Sequence, residues 1–425
     1  MREFPIVTIS LINYNGKKFV FQAIESAVNQ DYPNLEIIVI DNNSTDGTRE
    51  EIEKKVPEWK KRREEIVRSY KLKPELQKPE LQNQKSKLQK PEFQNLGAEP
   101  YSEAQFLTCE ESVKYIKNTE NAGFGRPHNM AIRIMKGDFI LLLNYDAILT
   151  SGYIKNVLKP FEDKKIGVVQ GKLLRYDFDK NELRKGEGNS KLNIIDTVGL
   201  MMFKNRRIVC IGQGETDKGQ YEEEKEIFGA DGAVPVYRKE MLEDIKLPII
   251  NQKSIKSKTH KVKIRINNLQ STDYNPNYEY FDEDFFMYKE DVDLAWRARL
   301  AGWKAVYTPK AVAYHGRGSG DSMAKNYFNI IKERRKINNQ AKFLSFKHQR
   351  LMQIKNDFPS LLFIKHFSQF IIKEVGAWGY MMIFERFTWR VLRDLHKDIP
   401  LFLKKRKLVM SKKRVDVKEM ERWFN

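Results

Sequence analysis

The stretch Phe281-Asp282-Glu283-Asp284-Phe285-Phe286-Met287-Tyr288-Lys289-Glu290-Asp291-Val292-Asp293-Leu294-Ala295-Trp296-Arg297 passes from an aromatic approach into a run of acids at the start of a helical pattern. Leu294, Ala298 and Ala301 fall on one stripe and Gly302 supplies a stop, so the spacing predicts a short amphipathic helix over 290–301. Glu290, Asp291 and Asp293 crowd its first turn, where the helix dipole favours negative charge. Taken alone, this is a capped helix with Asp293 paired to Arg297 one turn later. Six aromatics lie just ahead of the acids (Tyr278, Tyr280, Phe281, Phe285, Phe286, Tyr288), enough to wall off a cleft around a carboxylate.

Working outward, the N-terminal part alternates strand and helix. Ile6 to Ile12 is a compact apolar run of the kind buried in parallel sheets, and Asn13-Tyr14-Asn15-Gly16 turns the chain. Phe19, Val20, Ala23, Ile24, Ala27 and Val28 recur at helical spacing, and a second strand, Glu36 to Ile40, runs into Asp41. Another turn and helix come after it. This is the start of a doubly wound α/β sheet, in which ligands sit at the carboxyl ends of the strands, where Asn13 and Asp41 fall.

The pattern breaks near Pro57. Lys73-Pro74-Glu75-Leu76-Gln77 repeats at Lys78 and again, with Phe93, at Lys90. Short charged repeats with regular proline build neither a core nor a long helix, so roughly residues 57–108 read as an insertion in a surface loop, mobile or partly helical and not catalytic. Strands are expected again at Ser112 to Lys117 and at Asp138 to Leu143, with a helix from Arg126 to Met135 between them and Asn144-Tyr145-Asp146 closing the second strand. A helix over 151–161, a strand over 166–171, hairpins and loops over 172–228, and a strand ending at Tyr237 come next. A second polar, basic insertion spans 249–276, and short strands are expected at 305–307 and 311–314 before a basic loop from His315 to Gly320.

Composition bounds the class. The 425 residues are 41% hydrophobic, with 25 Phe and 18 Tyr, enough for a full α/β core and an appended region. Cys109 and Cys210 form no CxxC spacing, which argues against a zinc site or disulfide framework and suits a reducing compartment. Met1 to Pro5 lead straight into a strand, with no signal-peptide pattern. The net charge of +19 is uneven: residues 321–425 hold 24 Lys and Arg against 10 Asp and Glu, a net of +14. Such an end calls for an anionic partner. Its longest uncharged apolar run, Val375 to Phe384, is too short to span a bilayer. Aromatics among the charges favour a membrane interface over nucleic acid, for which no recognised module is present.

The quoted acidic stretch, continued as FDEDFFMYKEDVDLAWRARLAGW, closely resembles the acceptor-side motif of family 2 inverting glycosyltransferases, above all the rhamnosyltransferase-like branch. VTISLINYNG and IIVIDNNSTDGT match that family's nucleotide pocket in order and spacing, and NTENAGFGRPHNMAI is similar to its segment before the metal site. The resemblance covers about 5–56, 112–245 and 278–345. It implies a GT-A fold, that is, a Rossmann-like mixed α/β sheet with flanking helices over 1–320; the basic helical region over 321–425, with its membrane association, is read from charge and aromatic content. The resemblance implies Asp291 as catalytic base, with Glu290 beside it, and Asn13, Asp41, Asn43, Asn121, Gly123 and Asn144 around the donor. Asp146 and His315 would serve a Mg2+ or Mn2+ ion, although only the last position of the usual Asp-x-Asp is acidic here. Asp231, Trp296 and Arg317 fall on the acceptor side, although Trp296 on its own pattern reads as core. The implied reaction transfers a sugar, rhamnose or similar, from a dTDP- or UDP-sugar to a lipid-linked glycan or surface polysaccharide precursor, on the cytoplasmic face of the membrane. The rival reading is an inactive member of the fold that binds membrane or nucleic acid through its basic tail.

Overall fold

The computed structural model describes residues 4–72, 109–186, 192–250, 277–317, 327–385 and 387–425. The repeat segment after Leu72 and nearly all of the 249–276 insertion lie outside them.

Strands β1 (Val7–Asn13), β2 (Leu35–Asp41), β3 (Val113–Lys117) and β4 (Phe139–Asn144) form where the apolar runs predict them. They pair in parallel, with β1 between β2 and β4. The sheet continues through β5 (Ile166–Asp177), β6 (Lys225–Ile227), β7 (Pro235–Arg238) and β8 (Lys304–His315), in the order β6-β8-β5-β7-β4-β1-β2-β3. Strand β7 runs antiparallel to both its neighbours, while β5 and β8 pair in parallel. Three short strands branch from this path to make eleven. Helices α1 (Val20–Val28), α2 (Thr48–Lys71) and α3 (Gly125–Ile134) flank the parallel half. A mostly parallel mixed sheet between helices is the architecture expected.

Four local expectations change. The two short strands at 305–307 and 311–314 are one strand, β8, because a register shift between Thr308 and Val312 absorbs Pro309 without ending the pairing. Strand β5 likewise runs on to Asp177, past the expected end at 171. The insertion does not begin at Pro57: α2 carries that proline in its interior and continues to Lys71. Residues beyond the proline anchor the helix. The buried Arg63 donates to the carbonyls of Val28, Gln30, Tyr32 and Pro33 at the end of α1, and Trp59 and Tyr70 are buried as well. The Val28 carbonyl is one that the end of a helix leaves without an intrahelical partner.

The fourth change concerns the C-terminal quarter, expected as a separate basic region. Helix α4 (Glu290–Leu300) is buried on nearly every face, not along one amphipathic stripe. Its outer side packs with α5 (Asn339–Asn356), α6 (Phe367–Phe384) and α7 (Thr388–Ser411) in a shared core that includes Trp296, Met352, Phe402 and Phe424. Asn425 exchanges backbone hydrogen bonds with Met202 and Lys204. Two buried lysines complete the union: Lys355 on α5 meets Asp282 and Asp293, and Lys405 on α7 meets Glu279, Asp282 and Asp284. These two cations of the basic region are thus structural. The expected Asp293–Arg297 pair also forms, at 2.9 Å.

Candidate active site

Sheet geometry brings the metal candidates together. The short strand Ala147–Leu149 runs antiparallel to β8 with Ala147 opposite His315, so Asp146 is carried to the same edge. Gly316 N–H donates to the Asp146 carbonyl at 2.8 Å, and His315 Nε2 lies 3.4 Å from Asp146 Oδ1. On its other side, His315 Nδ1 lies 2.8 Å from Asp196 Oδ2. Arg317 Nε reaches Asp196 at 2.6 Å, and its Nη2 lies 3.3 Å from Asp231. A chain of alternating charge therefore runs Asp146–His315–Asp196–Arg317–Asp231. Burial opposes the His315 charge, but Asp146 and Asp196 outweigh it and push its pKa up to about 10. Burial likewise opposes ionisation of Asp146, yet His315 beside it holds its carboxyl below the usual range.

Asp291 stands at the far end of this chain. Gly232 N–H donates to its Oδ2 at 3.2 Å, from the segment that also carries Asp231. A side chain at position 232 would approach the Asp291 Cβ to 3.3 Å, so glycine permits the close pass. The same segment reaches the donor side, where Asn144 N–H donates to the Ala233 carbonyl at 3.0 Å. From its place at a helix N-terminus Asp291 is expected to be a weak base. Here burial, and then the charge of Asp231, raise its pKa. The dipole of one helix end does not offset the lost hydration.

Glu290 is more extreme. It is buried, its Oε2 has no hydrogen-bond partner among the described residues, and burial together with Asp291 pushes its pKa up to about 8. Its carboxyl therefore holds its proton to higher pH than an ordinary glutamate does. A folded pKa above the ordinary 4.5 means that the folded chain holds this proton more tightly than the unfolded one, so stability falls as pH rises through that interval. Glu290→Gln removes the penalty. Urea denaturation is expected to show the variant gaining on the wild type between about pH 5 and about pH 9. A constant difference across that range would show that Glu290 does not change protonation there.

The donor-side candidates form a polar lattice at the ends of β1 and β2. Asn13 donates from Nδ2 to Asp41 Oδ2 at 3.0 Å and to Ser44 Oγ at 2.9 Å. Asp41 also accepts from Ser44 N–H and Arg49 Nε, and is fully buried. The Asp41 oxygens thus hold Asn13 and Arg49 at the carboxyl ends of β1 and β2. The Asn13 Oδ1 acceptor remains buried without a partner among the described residues. Asn121 accepts from Asn42 Nδ2 and from Gly123 N–H. Gly123, at φ +77°, leaves no room for a Cβ, which would fall 2.1 Å from the Phe286 carbonyl. Its neighbour Phe124 donates to that same carbonyl, tying the donor lattice to the aromatic approach. Asn43, at φ 71°, faces Arg49 at 3.5 Å, and Asn144 ends β4 opposite Ile12.

One candidate moves out of the site. Trp296 is fully buried against Phe228 and Phe424 on the outer side of α4, so it stacks in the core and offers no acceptor surface. Three residues escape the sequence reading. Asp196 sits in the short strand Ile195–Thr197 antiparallel to β5, inside a stretch read only as hairpins, and nothing in its neighbours marks it. Asn42 is the hub joining Asn118, Asn121 and Gly123, and Arg49 grips Asp41. Both lie beside residues that were selected, and only their contacts across the fold separate them.

For a divalent cation, the described residues hold no group of three His, Cys, Asp or Glu side chains able to ligate one. Asp146 and His315 do converge, with the Asp146 side chain partly exposed. The pair fits an ion that takes its remaining ligands from diphosphate oxygens and water once His315 Nε2 gives up the proton it turns toward Asp146.

The profile described as glycosyltransferase-like family 2 matches residues 103–339, and that described as glycosyl transferase family 2 matches residues 8–73. An uncharacterized glycosyltransferase of Haemophilus influenzae is 42% identical over 53 residues, 12% of this chain and 16% of its own. Glycosyltransferase GlyG of Streptococcus pneumoniae is 19% identical over 172 residues, 40% of each chain. The chain thus spans less than half the length of these curated relatives. Among solved structures, the mannosyltransferase PcManGT of Pyrobaculum calidifontis, in complex with GDP-Man and Mn2+, superposes with a TM-score of 0.42 at 14% identity, over 97% of this chain and 86% of that one. S. aureus TarS 1–349 gives 0.44 at 13% identity, over 96% and 88%.

Proposed function

The chain belongs to the glycosyltransferase-like family 2, matched over more than half its length, and from that membership we propose that it is an inverting glycosyltransferase with Asp291 as general base. The donor is a dTDP- or UDP-sugar, rhamnose or a relative, and the acceptor a hydroxyl of a lipid-linked glycan or surface polysaccharide precursor. The observation that carries the reading is the placement of a half-buried, proton-attracting Asp291 at one end of the charged chain and Asp146 at the other.

In this reading the acceptor hydroxyl oxygen attacks the anomeric carbon from the Asp291 side. Its proton passes to the Asp291 carboxylate as the bond from the anomeric carbon to the diphosphate oxygen breaks. Direct displacement inverts the anomeric centre and needs no second carboxylate nucleophile. The raised pKa of Asp291 makes it a stronger base than an exposed carboxylate. Glu290, when protonated, adds no competing negative charge beside it. Asp196 and Asp231 orient Arg317 and His315 toward the donor side. A bound divalent cation, held by Asp146 and His315, would supply charge neutralisation of the leaving diphosphate. The site works from the cytoplasmic face of the membrane, with exposed apolar side chains of α6 against the lipid.

The test is thermal stability against a panel of nucleoside diphosphates with and without Mg2+ or Mn2+. A metal-dependent rise for dTDP or UDP, beyond that for ADP or GDP, is expected by linkage. No rise with any nucleotide would overturn the donor assignment. Asp146→Ala is expected to lower nucleotide affinity about tenfold or more in the presence of metal and to change it little without metal. Calorimetric titration in the two conditions checks this.

A further inference from the structure

A cavity of ≈ 720 Å³ opens between the segment 203–209, α5 and α6. Phe203, Ile208, Val209, Phe346, Ala377 and Tyr380 give it apolar walls. Six cationic side chains also line it, Arg206, Arg207, Lys289, Arg334, Arg350 and Lys373, with no carboxylate among the described lining residues. Asp357 pairs with Arg206, Glu374 with Arg350 and Lys373, and Glu385 with Arg334, so three carboxylates behind the wall offset part of its positive charge. Lys289 immediately precedes Glu290 and Asp291, so the cavity reaches the N-terminus of α4, where the candidate base sits. Burial lowers the Lys373 ammonium pKa to about 8 despite the attraction of Glu374.

The outer face of α6 explains how a ligand reaches this space. Ile364, Ile372, Val375, Met382 and Ile383 are each more than half exposed along the π-helical turn before α6 and α6 itself. No helix among the described residues is long and apolar enough to cross a membrane. An apolar face of this kind suits a helix lying in a lipid surface. Lys373, Gly376, Ala377 and Tyr380, at helical spacing, form the stripe facing the cavity. Gly376 is also exposed, and a Cβ built there meets nothing within 4 Å. It marks the border between the lipid-facing stripe and the cavity.

We propose that this cavity binds a phosphate ester carried on a single long apolar chain, the chain passing Gly376 from the α6 face and the phosphate resting against the cationic wall. The head of a lipid-linked acceptor is thereby presented toward Asp291. The inference rests on the reading of Asp291 as the base facing the acceptor. A bulk phospholipid shares the chemistry of apolar chain and phosphate, and the experiment separates the two sources.

Calorimetric titration of the full chain with farnesyl phosphate, below its micelle concentration, is expected to saturate at one molecule per chain. Inorganic phosphate and farnesol alone bind at least about tenfold more weakly, because each satisfies only one wall. Dihexanoyl phosphatidic acid does not compete. Gly376→Trp, which fills open space without a backbone clash, and Lys289→Gly, at a φ of 79° that glycine accepts, each weaken farnesyl phosphate about tenfold or more. The nucleotide-induced thermal shift, unchanged in Gly376→Trp, shows that the fold stands. Absence of farnesyl phosphate binding, binding unaltered in both variants, or equal competition by phosphatidic acid overturns the proposal. Nucleotide release from the donor, measured separately, divides the two readings. Release without farnesyl phosphate binding overturns the cavity alone. Binding with no release under any acceptor overturns the transferase reading alone.

Discussion

Asp291→Asn is expected to reduce glycosyl transfer by about 10²–10⁴-fold while nucleotide binding stays close to the wild type. The asparagine Oδ1 can still accept the Gly232 N–H that Asp291 accepts at 3.2 Å, so the 229–234 segment keeps its place. What is lost is the proton acceptor, together with the hydrogen bond that the other oxygen accepts from Val292 N–H. A positional role would predict a small effect, because the shape is nearly conserved. The pH dependence separates the two further. Burial and Asp231 raise the Asp291 pKa, so wild-type transfer is expected to climb with pH through a limb above the ordinary carboxylate range. The residual activity of the variant should lack that limb. Removing the charge also relieves Glu290, whose pKa is raised partly by Asp291. Steady-state rates across pH, paired with titration of the nucleoside diphosphate, provide the check; near-normal turnover in Asp291→Asn would remove it as the base.

Lys355→Met is expected to cost about 3–5 kcal/mol of folding stability, the largest stability effect foreseen for this chain. Lys355 is fully buried with its ammonium between Asp282 and Asp293. Methionine fills much the same volume, so packing is largely kept and the loss falls on charge. Asp282 retains Lys405, and Asp293 retains Arg297 and Asn356, but each carboxylate loses its shared cation in a dry environment. Asp282 responds to pH as a paired carboxylate does. Burial opposes its charge, Lys355 and Lys405 outweigh burial, and its pKa is depressed. Its stabilisation is therefore present above the unfolded carboxylate pKa and lost as pH falls through the folded one. Urea denaturation at neutral pH reads the first effect. A cost below about 1 kcal/mol would show that the buried lysine is not a keystone of the C-terminal packing.

Both effects sit at the boundary between local and tertiary information. Strands β1, β2 and β4 were legible in the sequence because parallel strands covered on both faces become unbroken apolar runs, and Asn13, Asp41 and Asn144 lie at their carboxyl ends. Asp291 was legible through its aromatic approach and the family motif. Its basicity was not, because burial is a tertiary property and the only local signal, the helix terminus, points the other way. Asp196 was invisible for a related reason: pairing across β5 brings it to His315 from 119 positions away in sequence. The C-terminal lysines read as solvated charge because nothing local distinguishes Lys355 or Lys405 from their exposed neighbours. Only the acids 73 and 123 residues earlier do so. Pro57 misled by the opposite route, since a strong local breaker was overruled by the anchoring of Arg63.

Cys210 lies within hydrogen-bond reach of both Asp231 and Arg317, and burial followed by the Asp231 charge pushes its thiol up to about 12. A thiol so placed is a built-in reporter. Alkylating reagents attack the thiolate, so in a background with Cys109 replaced by Ser they modify this position only when the Asp231–Arg317 contact opens. The rate of modification then measures breathing of the catalytic cleft itself, without an attached dye. Ligands that clamp the cleft slow it, and ligands that bind elsewhere leave it unchanged.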